Sequence, residues 1–168
     1  SIDYGSYLVL GWAGGLARNG PGADIVVFEN PFRFGDGLVF MDPAVVEVSL
    51  DGETWVAFPH DYVAEDERVY SARAEDWIGF AGVHPVWLHA ETNPVDPFDP
   101  AAGGDAFDLD SLAGAGEAAR IREEGFSFLR ISPAPDHENP DTGEPFVRSP
   151  IANGPDIDGA VARYVEGA

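Results

Sequence analysis

Cysteine and lysine are both missing from this chain of 168 residues, and methionine occurs once. Without cysteine there can be no disulfide, thiolate zinc site, iron–sulfur cluster or cysteine nucleophile. All nine basic residues are arginine, against 30 Asp and Glu, so the formal charge is −21. A field of that sign repels nucleic acid and anionic membrane surfaces, and it attracts divalent cations and basic surfaces. No apolar run approaches the ~20 residues that span a bilayer, and no signal peptide is visible. The chain opens on Ser1, which we read as a processed or trimmed product. The phosphate-cradle lysine and a G-x-S-x-G elbow are also absent. With so many acids, some carboxylate pair will always lie at a glycosidase-like spacing, so that spacing carries no signal. The expected role is therefore binding or structural, not catalytic.

Hydrophobic residues are 45% of the chain, which is enough for a real core in one domain spanning 1–168. Twenty glycines and 14 prolines are spread throughout and cut the chain into short segments. The expected strands are Tyr7–Trp12, Asp24–Glu29, Val45–Trp55, Thr54–Phe58, Val86–His89, Phe126–Ser132 and Asp158–Val165. In Val45–Trp55 the apolar Val46, Val48 and Leu50 alternate with Glu47 and Ser49, the period of a half-buried strand. Asp51-Gly52 then signals a hairpin. The helix candidate is Gly116–Glu124. Long polar loops cover 60–84, 91–110 and 133–157, and loops of that length are usually functional or pinned by something. This pattern predicts an all-β fold, an antiparallel β-sandwich with at most one or two short helices.

"VEVSLDGETW" (46–55) resembles the hairpin of discoidin-like, or galactose-binding-like, jelly-roll domains. "FLRIS" (128–132) and "PDIDGAVARYVEG" (155–167) resemble the later strands of such domains. "GPGADIVVFENPF" (20–32), that hairpin, "HPVW" (84–87) and "DPFDPAAGGDAFDL" (96–109) are together similar to a group of bacterial secreted or cell-surface proteins. The resemblance implies a secreted or surface-displayed jelly roll, preceded in the family by a further N-terminal segment, and it implies structural calcium.

Residues 96–110 hold Asp96, Asp99, Asp105, Asp108 and Asp110 with no positive charge. Calcium takes six to eight oxygens from flexible loops, and we expect Asp96, Asp99, Asp105 and Asp108 as its ligands. The other reading is a solvated loop whose aspartates cap Asx-turns. A second candidate cluster joins Asp24, Glu29 and Asn30 to Asp156 and Asp158. Asp136, Glu138, Asp141 and Glu144 read as solvated. His84 and His89 flank "PVWL" and read as a turn and a surface histidine rather than a zinc or copper pair. Trp55 reads as core. Trp77 and Tyr62, in a polar loop, are candidates for contacting a ligand, and the other reading of Trp77 is a side chain that pins its loop to the sandwich.

Two functions follow as expectations. One is a calcium-stabilised module binding carbohydrate or another surface ligand. The other is a homo-oligomeric surface-layer or filament subunit, bridged by calcium or by strand exchange.

Overall fold

The computed structural model describes residues 1–167. Its β-structure is antiparallel throughout, and it has one α-helix among the described residues. Seven strands form two sheets: β1 (Leu8–Gly11), β2 (Ile25–Glu29), β3 (Ala44–Ser49), β4 (Val56–Ala57), β5 (Asp105–Phe107), β6 (Phe128–Pro133) and β7 (Ile157–Ala162). The first sheet runs β1-β6-β3-β4 and the second β5-β2-β7. Helix α1 (Glu117–Glu124) starts after Gly116 and ends at Gly125.

Alternation along the strands builds the core. Val46 and Val48 of β3 and Leu129 and Ile131 of β6 meet Ile25 and Val27 of β2 in one buried cluster, closed by Phe107, Leu109, Ile121 and Phe126. Each such side chain contributes roughly 1.5–3 kcal/mol when it leaves water. The opposite face of β2 is covered as well: Val26 and Phe28 pack against Ala102, Val86, Val95 and Phe98 of the 84–102 segment.

The hairpin signal after β3 is built by side chains. Asp51 Oδ1 accepts from the amides of Glu53 and Thr54, both at 2.8 Å, and Ser49 Oγ accepts from Gly52 N–H at 2.9 Å. Those bonds hold the Asp51 carboxyl down at about 2. Gly52 takes φ +77°, the left-handed conformation this turn needs.

Four expectations are corrected. Strand β3 is buried on both faces, Glu47 and Ser49 included, because Arg130 of the neighbouring strand grips Glu47 through two hydrogen bonds of 2.6 and 2.7 Å. Trp55 is only half-buried and carries the Arg130 guanidinium 4.4 Å above its ring. Val86–His89 forms no strand, only single bridges from Val86 to Gly103 and from His89 to Asn93. The segments 60–84 and 133–157, expected as polar loops, carry short strand pairs and a buried apolar cluster. They fold over each other around Tyr62, Trp77, Phe80 and Phe146, against Met41 and Val45.

Candidate functional site

The acidic stretch that promised a cage is a series of local turns. Asp96 Oδ1 accepts from Phe98 N–H at 2.8 Å, Asp99 Oδ1 from Ala101 N–H at 2.8 Å, and Asp108 Oδ1 from Asp110 N–H at 2.9 Å. Each carboxylate faces an amide two residues ahead, the Asx-turn geometry. Asp105 departs from them. Strand β5 turns it inward, it is 6% exposed, and its Oδ1 lies 2.6 Å from His84 Nδ1 while Oδ2 accepts from Val83 N–H at 3.1 Å. Among the described residues, no three His, Asp or Glu side chains gather into a group able to hold a metal ion. Asp96, Asp99, Asp105 and Asp108, expected as the ligands of one calcium cage, do not gather: the first two and Asp108 each turn Oδ1 to a local amide, and Asp105 faces His84 and Val83 N–H.

The second cluster is also rearranged. Asp24 is buried and spans two segments, accepting from Gly20 N–H and Leu109 N–H at 2.8 Å each. Burial raises its carboxyl, and the two amides counter that. Asp158 is exposed on β7 and meets neither Asp24 nor Glu29 in any hydrogen bond or ion pair among the described residues. Glu29 and Asp156 do meet, where Glu29 Oε1 accepts from Asp156 N–H at 2.9 Å.

Sequence reasoning missed the third member of this group, Asp42. The signal was an acid inside the apolar run "GLVFMDPAVV" (37–46). Glu29 is 2% exposed and Asp42 8%. Gly82 lies between them: a Cβ there would sit 2.6 Å from the Asp42 carbonyl oxygen and 3.5 Å from Glu29 Cγ. Oε2 of Glu29 is buried without a hydrogen-bond partner. Burial, reinforced by the charges of Asp42 and Asp156, lifts the Glu29 carboxyl to about 8. Burial and Asp156 lift Asp42 to about 6.

Trp77 and Tyr62 are corrected too. They are 1% and 0% exposed, with ring centroids 4.0 Å apart. Trp77 Nε1 donates to the Ser71 carbonyl at 2.9 Å, and Tyr62 Oη to Val69 at 2.6 Å. Both pin the 60–84 segment; Tyr62 has no exposed surface, and Trp77, 1% exposed, is among the residues lining the cleft at Trp87. His84 and His89 do not pair either: His89 Nδ1 accepts from the amides of its own turn, Glu91 and Thr92, at 3.2 Å.

Among the described residues Tyr7, Phe32 and Phe34 are exposed, and the tryptophan that reaches solvent is Trp87, 54% exposed. It stands at a cleft of about 650 Å³ on the outer face of the second sheet, lined by Arg33, Glu75, Ile78, His84, Phe98 and Asp99 among others. Gly103 makes this wall possible. A Cβ there would lie 2.0 Å from the Pro85 carbonyl oxygen and 3.1 Å from the Trp87 ring, and the residue has φ +72°. The 84–87 and 100–103 segments therefore close on each other only with glycine at 103. Trp87 and Leu88 N–H both donate to the Ala102 carbonyl, at 2.7 and 2.9 Å, which locks the tryptophan in place. The arrangement offers a fixed aromatic face, a histidine oriented by a buried carboxylate, and an arginine at the rim.

No family model, curated protein or solved structure matches this chain.

Proposed function

We propose that the protein is a non-catalytic β-sandwich binding module of the discoidin-like type, secreted or displayed at a cell surface, and that it takes carbohydrate in the Trp87 cleft. The observation that carries this reading is Trp87 itself: a half-exposed indole lining a 650 Å³ cleft, on a backbone whose N–H donates to the Ala102 carbonyl. Exposing so large an apolar face costs hydration unless a partner covers it. A sugar ring presents a flat apolar face to stack on an indole, with hydroxyls around it for polar rim groups such as His84, Glu75 and Asp99. The cleft volume falls within the range of small-ligand sites. The test is a glycan array followed by titration monitored through tryptophan fluorescence. Binding to glycans that Trp87→Ala weakens by at least about tenfold supports the reading. An array on which no glycan is retained ends it.

A second reading, calcium as a structural ligand, has one observation in its favour. Glu29 Oε2 is buried and unpartnered beside Asp42 and Asp156. Calcium there would require the three carboxylates to draw together, with backbone carbonyls completing its shell. Free calcium would then raise the melting temperature, EDTA would reverse the rise, and Glu29→Gln would abolish it. Equal melting temperatures in calcium and EDTA would remove this reading.

A further inference from the structure

The charges that line the Trp87 cleft are not equivalent. Its three carboxylates are already engaged. Glu75 Oε1 pairs with Arg73 at 2.5 Å. Asp99 caps the turn at Ala101. Asp105 is buried beneath His84 and Val83 N–H. Arg33 is the reverse. It sits in the ribbon Phe32–Phe34, whose alternation sends its side chain to the face opposite Phe32 and Phe34. It lines the cleft and joins no ion pair among the described residues.

His84 lines the same cleft with a side chain 60% exposed. Asp105 holds its Nδ1, which leaves Nε2 without a partner among the described residues, and the hydrogen bond that Nδ1 donates to Asp105 raises the imidazole above its ordinary value. Arg33 and His84 line the same cleft, and the Arg33 charge slightly opposes that rise. A further arginine, Arg163, lies 4.1 Å from the centroid of Phe98, which forms part of the wall. In a chain of net charge −21, the cleft that holds Trp87 is thus lined by an arginine unpaired among the described residues and by a histidine with one ring nitrogen free among them. The repulsion of the distant acids is screened beyond about 8 Å at physiological salt, while a ligand in the cleft meets Arg33 and His84 directly.

We propose that the cleft selects an anionic sugar, one bearing a carboxylate or a sulfate, with Trp87 stacking on the ring and the Arg33 guanidinium and His84 Nε2 receiving the acidic group. This rests on the reading of the cleft as a carbohydrate site and names the class of carbohydrate. A planar guanidinium offers two parallel N–H donors to a carboxylate or sulfate, which a neutral hydroxyl cannot match in charge.

The test titrates the whole chain, by tryptophan fluorescence and calorimetry, with three probes of equal length: an oligogalacturonate, a sulfated chondroitin oligosaccharide and neutral maltohexaose. The expected result is binding of one or both anionic probes, weakened by added salt, at least tenfold tighter than maltohexaose. Arg33→Ala should remove most of that preference while Arg33→Lys restores part of it. The two anionic arms tell carboxylate from sulfate. Because Arg33 is exposed and unpaired, its replacement leaves the fold intact, which thermal melting verifies. Equal affinity for maltohexaose, insensitive to salt and to Arg33→Ala, overturns the anionic class and leaves the carbohydrate site standing. If none of the three probes, and no glycan on the array, binds in a Trp87-dependent way, both fall together.

Discussion

Two regions crowd carboxylates, and they solve the problem in opposite ways. Residues 96–110 place five aspartates in fifteen positions, yet Asp96, Asp99 and Asp108 each turn to an amide two residues ahead and stay at the surface. Water screens them, and the local amides stabilise their charge. Glu29 and Asp42 are 13 positions apart in sequence but buried together beside Asp156, with one Glu29 oxygen unsatisfied. Here burial takes the carboxyls out of solvent, the Ser1 ammonium pairs with Asp156 rather than with them, and both carboxyls rise. Acid density along the chain is thus a poor guide to electrostatic strain. Burial sets the cost, because desolvation penalises each charge before any neighbour acts on it.

The two regions should differ most in their response to pH. Glu29 rises from 4.5 to about 8 on folding, so the folded protein holds a proton that the unfolded chain releases. Stability from that proton is complete below pH 4.5 and is lost as pH climbs towards 8. Asp42 adds to the loss between 3.8 and about 6. Urea unfolding in EDTA should therefore show stability falling across this window, with a Glu29 contribution on the order of 4 kcal/mol. In Glu29→Gln, which keeps the shape without the charge, the slope should flatten. Parallel pH curves for the two proteins would show that Glu29 is not the titrating group.

The next largest effect is expected at Asp105, the member of the acidic stretch that is buried. Asp105→Ala strands the buried Val83 amide and frees His84, and should cost about 2 kcal/mol in chemical denaturation. A loss no larger than that of its exposed neighbours would contradict the division drawn here.

Those neighbours supply the third measurement. The triple replacement of Asp96, Asp99 and Asp108 by Asn keeps every Oδ1 acceptor, and stability should shift by less than about 1 kcal/mol. Its melting temperature should respond to calcium no differently from the unaltered chain. A calcium-dependent rise that vanishes in the triple variant would restore the cage.

The smallest change in stability is expected at the cleft. Trp87→Ala should stay within about 0.5 kcal/mol, as surface substitutions do, while glycan binding is lost. A large destabilisation would make Trp87 a structural anchor like Trp77.

Much of the framework was legible in sequence. Strands β1, β2, β3, β6 and β7 fall on the predicted segments, the Asp51-Gly52 turn is present, and α1 matches its predicted span but for Gly116. These are local signals: a period of two, a turn dipeptide, a short Ala-rich segment between glycines. The candidate site was legible only in pieces. His84 and Asp105 were both noticed, but nothing between them in the chain says that they meet. Arg33 and Asp42 carried no motif at all. Trp77 and Trp87 both lie in Pro/Gly-punctuated segments, and composition could not tell the buried ring from the exposed one.

The chain by itself determined its charge, its lack of thiol and lysine chemistry, its β-rich character and the positions of its principal strands, because each depends on residue types or on neighbours a few positions away. Tertiary structure decided which carboxylates lose their water and which tryptophan keeps its face open, and it set Arg33 and His84 in the wall of the same cleft. Those outcomes depend on which distant segments cover one another, and burial is a property of the assembled molecule that no single stretch of sequence contains.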